Sequence, residues 1–206
     1  MYAHMVHYHP IVGRAFELRE VVLRRAQELR ELGVKASVAQ SVWSEDFPGV
    51  RLTQEFESLA EFEDSRNLDP KAARAFIEAS DLLIRKPVSP SLFEVVSQTG
   101  DPNQPAKWLH ELTVSSALGK AGELRALMND RDKSLDSQGR RSSLAAKMAP
   151  GDYGLLVRTF MYPSLAALDD QRHRNASSAD ERQHVEREQM LVGRKTQSEF
   201  WEIVTE

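Results

Sequence analysis

The sequence predicts an α+β fold in which two tandem ferredoxin-like βαββαβ repeats pack sheet to sheet in one chain as an α/β barrel. Two observations predict this fold. Residues 4–66 align without a gap with the residues 106 positions later, at 18 identities over 63 positions. In each copy the hydrophobic pattern changes between strand and helix periods in the order β-α-β-β-α-β. A repeat of this length indicates a chain built from duplicated structural units.

A barrel follows from what one repeat leaves uncovered. Its two helices cover one face of a four-stranded sheet, and the other face must be buried against another layer. The second copy can supply that layer, with a pseudo-two-fold axis between the copies. The predicted domains are a first repeat over 1–96 and a second over 107–206. The polar stretch 97–106, with one glycine and two prolines, is predicted as a linker.

The first repeat begins with a segment rich in aromatic and β-branched residues, which is typical of a strand. An amphipathic helix closed by Gly33 follows it. The residues 44–49 are predicted as a hairpin turn because they contain Pro48 and Gly49, and Ser58 as an N-cap. The predicted elements are strand Ala3–Val12, helix Arg14–Leu32, strands Val34–Trp43 and Val50–Phe56, helices Ser58–Arg66 and Pro70–Leu83, and strand Leu92–Val96.

The second repeat shows the same order of patterns. Its polar stretch Arg172–Arg182 is predicted as a mobile loop, since it has no apolar period. The predicted elements are strand Lys107–Ser115, helix Lys120–Leu135, strands Arg141–Met148 and Leu155–Tyr162, helix Ala179–Val192 and strand Glu199–Val204.

The composition excludes several classes of protein. The 206 residues are 41% hydrophobic and 28% charged, with a net charge of -4, which argues against a nucleic-acid partner. The sequence contains no apolar run of the length that spans a bilayer, and its first residues do not resemble a signal peptide. With zero cysteines, it has no disulfides and no cysteine metal sites. We expect a cytoplasmic protein with no membrane partner.

Two pairs of motifs resemble a known family. The segment Phe56–Arg66 and its copy Tyr162–Arg172 are similar to the aromatic-x-Ser-Leu-Ala…Arg signature of NIPSNAP-like proteins, and His110–Leu112 followed by Gly119–Leu124 resembles their opening strand and helix start. The first copy departs from this opening pattern, with Met5-Val6 in place of Glu-Leu.

The resemblance implies the dimeric α/β-barrel superfamily. That superfamily includes cofactor-free antibiotic-biosynthesis monooxygenases, muconolactone isomerases, polyketide cyclases, haem-degrading enzymes and chlorite dismutases. It implies a ligand site between sheet and helices or within the barrel. NIPSNAP-like proteins carry no catalytic motif that can be transferred to this chain.

The first strand carries the best polar cluster. Strand alternation places His7 and His9 on the face turned away from the helices, and histidine can transfer protons at neutral pH. We interpret both as candidate catalytic residues. The second copy has Thr113 and Ser115 at these positions, so we expect the pocket beside the first repeat. The candidate substrate-binding residues are Trp43, Arg51, Glu55 and Glu94. The alternative interpretation is that the histidines lie near solvent or hydrogen-bond to each other.

No metal site and no cofactor are predicted. His7 and His9 would place two imidazoles about 7 Å apart on one strand face, but the sequence has neither cysteine nor an HExxH motif to complete a zinc site. No axial-ligand motif for haem stands out. Residues kept in both copies, such as His4 and His110, are expected to serve the fold.

Two classes of function remain open. The first is a small-molecule enzyme of the cofactor-free oxygenase, isomerase or cyclase type, in which a histidine moves a proton. The second is a non-catalytic ligand-binding or protein-interaction module. A small-molecule ligand is the expected partner in the first class, and the chain is expected to be a monomer with a pseudo-two-fold axis or a homodimer.

Overall fold

The computed structural model describes residues 1–44, 47–150, 154–193 and 197–204. The chain divides into two compact units, Met1–Glu94 with Trp201–Glu206, and Val95–Phe200. The unit boundary therefore falls inside two strands rather than in a loop. Glu45 and Asp46, in the predicted hairpin turn, lie outside the described residues.

The first unit is built around a strand order β4-β1-β3-β2. The pairs β1–β3, β1–β4 and β2–β3 are antiparallel. Its elements are β1 Tyr2–Tyr8, α1 Ala15–Glu31, β2 Lys35–Trp43, β3 Val50–Phe56, α2 Leu59–Ser65, α3 Pro70–Asp81 and β4 Ser89–Thr99.

Local sequence explains where these helices begin and end. Helix α1 buries Leu18, Val22 and Leu29 on one stripe, and Gly33 follows it at φ 87°, a left-handed conformation that glycine adopts without a steric penalty. Ser58 is the N-cap of α2, as predicted, since its side chain accepts a hydrogen bond from the Glu61 backbone N–H at 3.1 Å.

The elements after β4 are β5 Trp108–Ser115, α4 Ala121–Ser137, β6 Ser142–Ala149, β7 Leu155–Tyr162, α5 Leu165–Ser177, α6 Ala179–Gln189 and β8 Gln197–Val204, and the unit boundary divides β8. In the second unit the strand order is β5-β7-β6. Helices α1 and α4 begin and end 106 residues apart, and the antiparallel register of β5 with β7 reproduces that of β1 with β3 at the same offset.

Two segments differ from the prediction. The residues 172–182 are not a loop, because α5 and α6 occupy them and only Ser178 separates the helices, its side chain accepting a hydrogen bond from Glu181 N at 3.2 Å. Strand β4 continues to Thr99, three residues into the predicted linker. There the Thr99 hydroxyl donates to the carbonyl of Arg140 at 2.6 Å.

The fold class is the predicted one. Each unit combines helices with antiparallel strands, which is an α+β architecture. Among the helices in the described part of the chain, none is long and apolar enough to cross a membrane.

The two units cover the helix side of their sheets with different residues. In the first unit, Val6, Tyr8, Leu52 and Phe56 form one apolar cluster with the buried stripe of α1. In the second unit, the apolar residues form smaller clusters, and charged side chains are buried beside them.

Burial of Leu18 predicts a matched pair of stability effects. Leu18 is fully buried, whereas Leu118, in a loop of the second unit, is fully exposed. We expect Leu18→Ala to lower the free energy of unfolding by about 2–5 kcal/mol through the lost burial and the cavity left behind, and Leu118→Ala to change it by less than about 0.5 kcal/mol. Urea denaturation measures both. Equal losses would contradict the assigned orientation of α1.

Candidate functional site

The structure brings together two of the residues predicted as a site in the first unit. His7 and Arg51 lie opposite each other in the β1–β3 ladder. Both contact the indole of Trp201: the His7 ring meets it edge-on with centroids 5.5 Å apart, and the Arg51 guanidinium lies 4.6 Å from its centroid. Arg51 and Trp201 are each 3% exposed, so this is a buried cation–aromatic cluster.

His9 lies close to this cluster along the chain. It follows β1, two residues beyond His7, and is buried. Its backbone carbonyl accepts a hydrogen bond from Arg85 N at 2.8 Å. Neither histidine is therefore an exposed strand-end residue, since His7 is itself half-buried.

The other predicted residues lie elsewhere. Glu55 pairs with Ala3 and Glu94 with Tyr2, at the opposite end of β1 from His7. Glu55 is four positions after Arg51 along the strand, so their backbones are about 13 Å apart. Trp43 ends β2 with 75% of its surface exposed.

The second unit contains a cavity that the sequence analysis did not predict. It has a volume of about 540 Å³ and lies between strands β5 and β7 and helices α4, α5 and α6. We call it the helix-side pocket. Its walls combine apolar and aromatic side chains with charged ones, namely Leu112, Met128, Phe160, Tyr162, four arginines (Arg131, Arg140, Arg158 and Arg172) and two glutamates (Glu181 and Glu188). The pocket expected beside the first repeat stays a prediction.

Arg158 is the deepest charge of this pocket. It is 3% exposed, and its Nη2 donates to the Met128 carbonyl at 2.7 Å and lies 3.0 Å from Asp132 Oδ1. Its Nε and Nη1 have no hydrogen-bond partner among the described residues. Unmade hydrogen bonds of a buried charged group are costly. Both groups belong to a side chain that lines the pocket and lack the acceptor that a buried cation needs.

The neighbouring cations make the pocket electropositive. Arg131 pairs with Glu181. Burial, followed by repulsion from Arg140 and Arg158, lowers the pKa of Arg131 to about 10. Burial likewise lowers the pKa of Arg140 and of Arg158. Like charges that lower one another's pKa are stabilised by an anion placed among them.

His110 lies in the wall of this pocket. It stacks on Phe200 with ring centroids 4.3 Å apart, and its Nε2 is 2.9 Å from the Ser198 hydroxyl. Burial, and then the charge of Arg172, lower the pKa of His110 to about 4. The ring is neutral at neutral pH. His4, its counterpart in the first unit, contacts Gln54 and Phe62 instead.

A second histidine in the pocket has a carboxylate beside it. His184 Nε2 lies 3.6 Å from Glu188 Oε2, one helical turn along α6, and the two side chains are 12% and 18% exposed. Both side chains line the helix-side pocket.

The first unit shows which signal would have located the pocket. The residues 106 positions before Arg158 and Asp132 are Leu52 and Ala26, and both belong to the apolar cluster of the first unit. On the helix side of the sheet, Arg158 is thus a charge at a strand position that is apolar in the first repeat. This difference between the copies is the signal in the sequence that marks the pocket.

The described residues contain no group of three or more histidine, aspartate or glutamate side chains that could hold a metal ion.

The lowered pKa of His110 predicts a pH-dependent stability. Its pKa is near 4 when folded and near 6.5 in the unfolded chain, so the unfolded chain binds more protons between these values. Stability is therefore lost as the pH falls through that window. Between pH 7 and pH 4, we expect the free energy of unfolding of His110→Gln to fall by about 2 kcal/mol less than that of the unsubstituted chain. This figure allows for the partial exposure of His110, which weakens the effect of burial.

Urea denaturation at both pH values measures this difference. His173→Gln is the matched control, because His173 is exposed on α5. An unchanged pH dependence in His110→Gln would contradict the role of burial.

Comparisons with known proteins show likeness at the level of structure. No family model and no curated protein matches the sequence. A proposed monooxygenase of Fusobacterium nucleatum superposes with a TM-score of 0.75 at 6% identity, over 99% of this chain and 92% of the other. A proposed monooxygenase of Lactobacillus acidophilus superposes with a TM-score of 0.69 at 10% identity, over 99% of this chain and 95% of the other.

An anthrone oxidase-like protein gives a TM-score of 0.70 at 12% identity, over 99% of this chain and 91% of the other. At such identities the likeness shows the fold alone. The fold of this chain is that of the dimeric α/β-barrel proteins.

Proposed function

We propose that the chain is a small-molecule enzyme of the cofactor-free oxygenase type and that the helix-side pocket is its active site. The observation that carries the proposal is the buried Arg158, which has two N–H donors without a hydrogen-bond partner in a cavity of about 540 Å³. A cavity of this size accommodates a small organic ligand.

The lining indicates the class of substrate. Phe160, Tyr162, Leu112 and Met128 offer aromatic and apolar surface, which suits a planar aromatic or polyketide-like ring. The cations favour a substrate that develops negative charge. Donors already oriented toward such an oxyanion lower the barrier to forming it. Arg158 would donate to the oxygen of an enolate or phenolate.

His184 is the proposed proton acceptor. It would remove an acidic proton from the substrate, and Glu188 would stabilise the imidazolium that forms. The resulting carbanion can react directly with O₂ to give a peroxide anion, and the imidazolium returns its proton to form a hydroperoxide. Where the carbon is a ring CH₂ between two arenes, the hydroperoxide then loses water and leaves a ketone. One oxygen atom of O₂ enters the product and the other leaves as water.

The similar structures support this choice of reaction, since they include proposed monooxygenases and an anthrone oxidase-like protein. The same proton transfer without O₂ would serve an isomerase or a cyclase. The cluster of His7 and Arg51 around Trp201 is a second candidate site in the first unit. If the enzyme used this site, its substrate would bind in the pocket predicted beside the first repeat.

We also propose that the chain is NIPSNAP-like and arose by tandem duplication. The matched bounds of α1 and α4 and the equal strand registers support a duplication. In this proposal the second copy has a ligand pocket where the first has an apolar core. We propose further that the protein is cytoplasmic, that it is a monomer or a homodimer, and that it binds neither nucleic acid nor membranes.

Anthrone is a direct probe of the proposed reaction. Oxygen uptake and the absorbance of anthraquinone are measured with the purified chain. We expect turnover, and His184→Gln should lower kcat by about 100-fold or more, as expected for the loss of a general base. His173→Gln removes an exposed histidine of the same unit and should leave kcat unchanged.

If the chain bound one equivalent of anthrone but did not turn it over, the result would favour a non-catalytic ligand-binding protein. A His184→Gln variant as active as the unsubstituted chain would remove His184 from the mechanism.

The Arg158–Asp132 pair predicts a coupled effect on stability. Arg158→Leu alone leaves Asp132 buried without its cation and should cost about 3–5 kcal/mol. Adding Asp132→Ala should recover most of this loss, because the double variant has the residues found at positions 52 and 26 of the first repeat. Urea denaturation of the single and double variants gives the coupling energy. Additive losses would contradict the pairing.

A further inference from the structure

A second cavity adjoins the helix-side pocket in the same unit. It has a volume of about 570 Å³. Arg140, Phe160, Tyr162 and Gln171 line both cavities, so the two share a wall. A ligand whose ring lies in the helix-side pocket reaches the second cavity only with a substituent that passes Arg140.

The second cavity is cationic without compensation. Arg140, Arg141 and Arg174 line it, and among the described residues no carboxylate does. This differs from the deeper arginines of the helix-side pocket, where Arg131 pairs with Glu181 and Arg158 with Asp132.

Neutral acceptors contact all three arginines. Arg140 Nη1 donates to Asn175 Oδ1 at 3.4 Å. Arg174 Nη2 donates to Gln171 Oε1 at 3.1 Å, and Gln171 Nε2 donates to Asn175 Oδ1 at 2.7 Å. Arg141 donates to the carbonyl of Gln104. Each guanidinium has more N–H groups than these contacts use. The cavity therefore presents oriented donors and positive charge together.

Arg140 forms the wall between the cavities. Its guanidinium lies 5.1 Å from the centroid of Phe160 and hydrogen-bonds with Tyr162. At the corresponding positions 106 residues earlier, the first repeat has Val34 for Arg140 and Leu68 for Arg174, whereas Lys35 stands for Arg141. Two of the three cations are thus particular to the second unit.

We propose that the second cavity is an oxyanion-binding subsite, which takes a carboxylate or phosphate group of the ligand whose ring occupies the helix-side pocket. Guanidinium groups bind such oxyanions through paired, charge-assisted hydrogen bonds. The position of the ring rests on the proposed function, whereas the binding of the anion rests only on the three arginines.

Calorimetric titration with three matched probes tests the subsite. The probes are 2-naphthoate, 2-naphthyl phosphate and the neutral 2-naphthamide. We expect at least one anion to bind about tenfold more tightly than the amide at low salt, and this preference to weaken as NaCl rises from about 50 to about 500 mM. A preference between the two anions identifies the group as carboxylate or phosphate.

The variants separate the subsite from general charge. In Arg141→Gln/Arg174→Gln the preference for the anion should fall to within about twofold, with the affinity for 2-naphthamide unchanged. Arg174→Lys, which keeps the charge, should retain part of the preference. Arg182→Gln removes an exposed charge of α6 that lines neither cavity, and should bind all probes as the unsubstituted chain does. Circular dichroism checks that each variant is folded.

Equal binding of all three probes by the unsubstituted chain, or a preference that survives Arg141→Gln/Arg174→Gln, would overturn the subsite. Failure of both anions to bind at millimolar concentration would also overturn it. An arginine-dependent preference without anthrone turnover would sustain the subsite and defeat the oxygenase proposal. Turnover of anthrone by a chain that shows no preference for the anionic probes over 2-naphthamide would sustain the oxygenase proposal and defeat the subsite.

Discussion

The buried charge of Arg158 is the constraint around which the second unit is arranged. A guanidinium with 3% of its surface exposed needs compensation, and the Met128 carbonyl and the Asp132 carboxylate, both on α4, supply it. Asp132 is in turn hydrogen-bonded by Ser97 of β4. This network joins helix α4 to strands β7 and β4, and it holds the charge at the base of a cavity.

The same scaffold closes differently in the first unit. There Leu52 and Ala26 stand at the equivalent positions and pack into a continuous apolar cluster. An apolar core excludes water and needs no polar partners, whereas a core with buried arginines leaves donors that only a polar guest can satisfy. Equal backbone registers thus support an apolar residue at position 52 of one unit and a buried arginine at position 158 of the other.

Most of the fold could be predicted because its elements depend on local periodicity. Helix α1 has a clear buried stripe, and strand β3 was predicted with the bounds that it has in the structure. Helix α6 was predicted with the start that it has in the structure, at Ala179, but α5 was missed for a physical reason. Leu168 and Gln171 are the buried residues of α5, so the helix has no apolar period. Its N-cap, Ser164, marks where it begins.

The candidate site could be predicted only in part. Strand alternation predicted that His7 and Arg51 share a face, and the register pairs them. The importance of Arg158, however, depends on contacts with α4, which lies about 30 residues away in sequence. Hydrophobic pattern alone treats a charged residue in an apolar strand as an irregularity. Its function becomes visible when the helices that cover it are in place.

The division of the chain inside β4 and β8 affects the order in which the protein can be completed. The residues from Trp201 onward belong to the first compact unit, and Trp201 covers the guanidinium of Arg51. During synthesis, the first unit therefore waits for a segment made about 100 residues after the rest of it. Until that segment emerges from the ribosome, Arg51 lacks its aromatic cover, and the two units reach their final state together rather than in succession.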